Sequence, residues 1–116
     1  MDGPFFVVER GNDLLVLADK REVEAALEAI DVRNAEYRIF TSDGTELQLA
    51  VESEKVVVHE AELGRSPEHL ARAVRKHLRA LSPKHETMKR GEIESASLGE
   101  LTQAAFRARI PPGRMW

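Results

Sequence analysis

The chain has 116 residues and no cysteine, which leaves room for one domain and excludes disulfides, thiolate metal sites and a cysteine nucleophile. Apolar residues make up 42% and aromatics only 5%, so the core must be aliphatic. Net charge is −3 but unevenly spread: residues 1–62 hold 15 Asp/Glu against 6 Lys/Arg, net −9, and residues 63–116 hold 5 against 11, net +6. Such asymmetry bears on partners rather than on fold.

The N-terminus carries Asp2 where a signal peptide needs basic residues, and Glu9 and Arg10 interrupt its apolar run. No stretch approaches the roughly 20 apolar residues of a membrane span. No membrane association is expected, and the expected location is the cytoplasm. The runs Phe5–Val8 and Leu14–Leu17 predict a hairpin turning at Gly11-Asn12. Their unbroken apolar character predicts strands covered on both faces or central in a sheet. Asp19 with Glu22 predicts a capped helix, and Val23, Ala26, Leu27 and Ile30 form its apolar stripe. That helix should end near Ile30, with Asp31–Asn34 as a loop.

Residues 36–61 read as three strands. Tyr37 and Ile39 face one way, Arg38 and Phe40 the other. Leu47, Leu49 and Val51 alternate with Glu46, Gln48, Ala50 and Glu52, as a half-buried antiparallel strand requires. Asp43-Gly44 marks the first turn. A two-residue loop would pair Phe40 with Leu47; a three-residue loop would pair Ile39 with Leu49 and Tyr37 with Val51. Ser53-Glu54 marks the second turn, and Lys55–His59 is the last strand.

Ser66-Pro67 starts a helix buried through Leu70, Val74, Leu78 and Leu81, and Pro83 ends it. Ser97 and Glu100 make a second capping box, opening a helix to about Arg109, before Pro111-Pro112-Gly113 and a tail ending in Trp116. The expected domain plan is a core over residues 1–82, a polar linker over 83–96 and a C-terminal helix and tail over 97–116. The expected fold is α+β: an antiparallel sheet of about five strands in ββαβββα order, two helices on one face and an appended helix.

No catalytic constellation emerges, and no cofactor is expected. His69 and His77 are eight residues apart, about 80° off a shared helix face. His85-Glu86 lacks a second histidine, and His59 lacks a nucleophile or carboxylate at fixed spacing. The glycines are isolated and form no phosphate loop. The pairs Glu52/Glu54 and Glu60/Glu62 read as solvated strand faces.

Two surface features stand out. With Leu70 at zero, the buried set of its helix lies around 20° and Arg72, Arg75, Lys76 and Arg79 cluster around 190°. A solvated helix face accounts for this ridge; the functional alternative is a contact for nucleic acid or an acidic partner. The second feature is acidic: Glu24, Glu28, Asp31, Glu36, Asp43, Glu46, Glu52 and Glu54, on the first helix and central hairpin. General solubility accounts for it, and the alternative is docking onto a basic protein.

Ile30, Asp31, Val32, Asn34, Glu36 and Tyr37, then Phe40, Asp43, Gly44 and Leu47, resemble a pattern of small acidic immunity-type proteins of bacterial polymorphic toxin systems. The resemblance spans roughly residues 14–81. It implies a non-enzymatic protein that binds a toxin domain and occludes its active or substrate-binding surface, and it transfers no site residue. On this reading Glu24, Glu28, Asp31, Glu36, Asp43, Glu46 and Glu52 meet the partner's basic surface, with Tyr37 as an anchor. The other expectation is a nucleic-acid-associated regulator using Arg72, Arg75, Lys76 and Arg79. Self-association through a sheet edge or the last helix is a third.

Overall fold

A computed structural model of the chain describes residues 3–81 and 88–109. The elements are β1 (Phe5–Glu9), β2 (Leu14–Leu17), α1 (Lys20–Ala26), α2 (Ala29–Arg33), β3 (Tyr37–Phe40), β4 (Thr45–Glu52), β5 (Lys55–Arg65), α3 (Pro67–Leu81), α4 (Arg90–Ser95) and α5 (Leu98–Ala108). The fold is α+β, with five antiparallel strands in the order β2-β1-β3-β4-β5. No described helix is long and apolar enough to cross a membrane.

Helices pack on both faces of the sheet, which corrects the expectation of two helices on one face. β1 is the reason. Phe5, Phe6, Val7 and Val8 are all buried, and successive residues of a strand point to opposite faces, so both sides demand apolar cover. Phe6, Val8, Leu14 and Phe40 pack under α3, α4 and α5 through Leu70, Val74, Leu78, Ile93 and Leu101. Phe5, Val7, Leu17, Ile39 and Leu47 pack against Val23 and Leu27, with Val32 of α2 alongside.

The β3–β4 register is Ile39 opposite Leu47 and Phe40 opposite Glu46, which matches neither expected pairing. A three-residue loop achieves it, with the Thr41 amide donating to the Thr45 carbonyl at 2.9 Å. This register keeps Ile39 and Leu47 on one apolar face. Ser53 and Glu54 both have positive φ, +50° and +65°, the conformation a two-residue hairpin loop needs. β5 runs on past the expected end at His59 to Arg65. Its second half pairs with Thr45, Glu46 and Leu47 after register shifts on either side of Leu47.

The expected single helix over 19–30 is two. Asp19 accepts from the Glu22 amide at 2.9 Å, and Glu22 reaches back to the Ala18 amide at 2.8 Å. At Leu27 the backbone turns extended (φ −96°, ψ 143°), and α2 begins two residues later. The break shifts the phase. Leu27 stays buried, Val32 reaches the core, and Ile30, expected in the stripe, is 60% exposed.

The expected polar linker over 83–96 contains α4, and Ile93 within it is fully buried. α5 carries the expected Ser97–Glu100 capping box and lies on α3, so the C-terminal helix packs on the body. Pro83, His85 and Trp116 lie outside the described residues.

Candidate docking surface

The acidic residues grouped together by sequence divide among five places. On the α1–α2 elbow, Glu24 and Glu28 are exposed, and neither meets a cationic side chain among the described residues. Glu24 accepts a long bond, 3.4 Å, from the Val58 amide on the edge strand β5. Asp31 accepts from the Tyr37 hydroxyl at 3.2 Å. Burial, that bond, and the charges of Asp31, Glu9 and Glu28 all push the Tyr37 phenol above its ordinary value of 10.0. Tyr37, expected as an anchor, thus has its polar end committed to orienting Asp31.

Glu36 follows the elbow, its amide donating to the Asp31 carbonyl at 3.0 Å, and its carboxylate pairs with Arg10 at 3.4 Å beside the β1–β2 turn. Glu46 and Glu52 are on the opposite sheet face. Glu46 receives a two-pronged contact from Arg38, 3.0 Å from Nε and 2.8 Å from Nη2, and Arg38 also stacks over the Phe40 ring. Glu52 lies 2.8 Å from His59 Nε2. These two pairs lie on a stretch of sheet whose other side chains, Gln48, Ala50 and Val57, are exposed or half-buried. Glu54 pairs with Arg33 of α2 at 2.8 Å.

Asp43 is spent on its own turn. Its carboxylate accepts from the Thr41 hydroxyl and the Thr45 amide, and these bonds pull its pKa from 3.8 to about 2. A carboxyl held lower in the folded state contributes stability that is complete above about pH 4 and disappears as pH falls towards about 2. Asp43→Ala is therefore expected to be less stable than the parent chain at neutral pH, with the difference shrinking below pH 4. Urea unfolding at pH 7 and at pH 2.5 measures this; a gap of constant size contradicts it.

Ile30 is the residue that sequence reasoning placed wrongly. It turns outward on α2 between Glu28 and Asp31, one of the large hydrophobic side chains left exposed, Leu63 of β5 being another. No glycine or proline marks the helix break that puts it there, so the stripe alone gave no warning. The elbow thus presents an apolar side chain beside carboxylates that lack cationic partners, the composition of a docking patch.

The basic ridge is largely engaged within the protein. Arg75 donates to the carbonyls of Ile93 at 3.1 Å and Ala96 at 3.0 Å, tying α4 to α3. Arg79 pairs with Glu94 at 2.5 Å. Lys76 donates to the Gly11 carbonyl at 2.9 Å and approaches Asp13 at 3.3 Å, holding the β1–β2 turn. Arg72 alone of the four is exposed with no side-chain partner among the described residues. Three cations expected to face an external phosphate chain thus serve as cross-links between elements.

The described histidines do not converge. His69 packs on the Phe40 ring, 5.9 Å between centroids, and burial with Arg38 and Arg72 nearby lowers its pKa. Burial lowers that of His77. Among the described residues no group of three or more His, Asp or Glu is placed to hold a metal ion. No family model, curated protein or solved structure matches the chain.

Proposed function

We propose that this chain is a non-catalytic binding module that docks on a basic surface of a partner protein, as an immunity protein covers the active or substrate-binding surface of a bacterial toxin domain. The observation that carries the reading is the exposure of Ile30 on α2, with Glu28 and Asp31 within two residues of it and Glu24 exposed on α1 of the same elbow. A few residues packed at the centre of a contact carry most of its binding energy once water is excluded, and Ile30 is placed to be one of them. Unpaired carboxylates around it attract a basic partner over distance and raise the association rate. Glu36, Asp43, Glu46 and Glu52 have committed partners of their own and play no leading part in this contact.

The test is co-expression with the product of the neighbouring reading frame, followed by purification and a binding titration. A complex is expected. Ile30→Ala weakens it by about tenfold or more. The double reversal Glu24→Lys/Glu28→Lys slows association and flattens its salt dependence. A complex whose affinity and association rate ignore all three changes removes the elbow as the contact.

A further inference from the structure

A groove of about 570 Å³ runs between α3, α4 and the start of α5. Along it α3 supplies Arg72, Arg75 and Arg79, while Pro67, Ala71 and Leu98 provide apolar ground. Two of the three guanidinium groups keep their charge uncompensated. Arg75 is held by two backbone carbonyls and meets no carboxylate among the described residues. Those bonds use its Nε and one Nη2 hydrogen, so three of its five donors remain. Arg72 has no side-chain partner among the described residues. Arg79 is neutralised by Glu94.

We propose that this groove binds an acidic peptide segment of a partner protein, its carboxylates on Arg72 and Arg75 and an apolar side chain on Ala71 and Leu98. Arg75 is already fixed by its carbonyl bonds, so little ordering entropy is spent on it at binding, and an arginine fork matches a carboxylate in two-pronged geometry. Nucleic acid fits less well. Among the described residues no aromatic side chain lines the groove for a base to stack on. Glu68 and Glu94 lie along it and repel any polyanion, but they accept from peptide N–H groups, a donor that a phosphodiester chain lacks. The groove and the α1–α2 elbow lie on opposite faces of the sheet, so either contact stands without the other.

The test is fluorescence anisotropy of a labelled peptide of alternating glutamate and leucine, titrated with the full chain at low salt. Saturable binding that weakens with salt is expected. Arg72→Glu weakens it by about tenfold or more. Glu94→Gln, which releases Arg79, tightens it. Arg107→Glu, the same charge change on an exposed residue of α5 that does not line the groove, leaves it unchanged. Thermal melts confirm that the variants are folded. Four results each overturn the proposal: no saturable binding at millimolar peptide, equal losses from Arg72→Glu and Arg107→Glu, no tightening from Glu94→Gln, or tighter binding of a single-stranded oligothymidylate than of the peptide.

Discussion

Replacing Ile93 with alanine is expected to lower the unfolding free energy by about 2–5 kcal/mol, the cost of deleting a buried branched side chain together with the cavity it leaves. That is a large share of the roughly 5–15 kcal/mol that holds a domain folded. Ile93 is fully buried in the cluster formed by Leu70, Val74, Leu78 and Leu101. It is also the only large apolar residue of α4, whose sequence is RGEIES. Six residues cannot sustain a helix in water alone, and Lys89 at its N-cap supplies no side-chain capping bond. α4 is held from outside, by Ile93 below and by the bonds from Arg75 and Arg79 of α3 above. Truncating Ile93 should therefore loosen α4 as well as lower global stability. Hydrogen exchange over residues 88–96 measures the loosening of α4, and urea denaturation the loss of global stability. A loss below about 1 kcal/mol would mean that Ile93 is not the anchor.

Gly44→Ala is expected to be similarly severe, and Gly11→Ala mild. Both glycines have positive φ, +86° and +99°, so each substitution carries conformational strain of about 1 kcal/mol or more. They differ in space. A Cβ at Gly44 would lie 2.6 Å from Pro67 Cα, a backbone atom that cannot swing aside, whereas at Gly11 nothing lies within 4 Å. The contact at Gly44 is where the β3–β4 turn meets the start of α3. The Ser66 amide donates to the Gly44 carbonyl at 2.9 Å, and Arg65 donates to the Asp43 carbonyl at 3.0 Å. The clash therefore pushes α3 off the sheet. Thermal melts of the two variants side by side decide the point, and equal losses would show that φ alone governs both sites.

The contrast between Gly44 and Ile93 marks what the chain discloses before folding. Asp43-Gly44 announces a turn through local chemistry, and so do Gly11-Asn12 and the Ser97–Glu100 box. The five strands and the α3 and α5 helices follow from such signals and from apolar periodicity. Ile93 sits alone in a polar stretch with no period to reveal it; its burial depends on Arg75, eighteen residues earlier. The break at Leu27 is equally silent, because Val23, Leu27 and Ile30 satisfy helical spacing whether or not the helix is continuous. The last third of β5 contains Glu62, Gly64 and Arg65, poor strand formers, and becomes strand only because the first residues of β4 offer ladder partners. The acidic excess was legible as charge. Its division into paired and unpaired carboxylates was not, since the partners Arg10, Arg38 and His59 come from other elements.

We propose that the α1–α2 elbow is the surface that meets a protein partner. Hydrogen exchange of the chain, free and in complex with the product of the neighbouring reading frame, tests it most directly. Slowed exchange concentrated over residues 24–34, with no slowing over the exposed β4–β5 face around Gln48 and Val57, is the predicted result. Slowing centred on Gln48, Glu52, Val57 and His59, with the elbow unchanged, would contradict it.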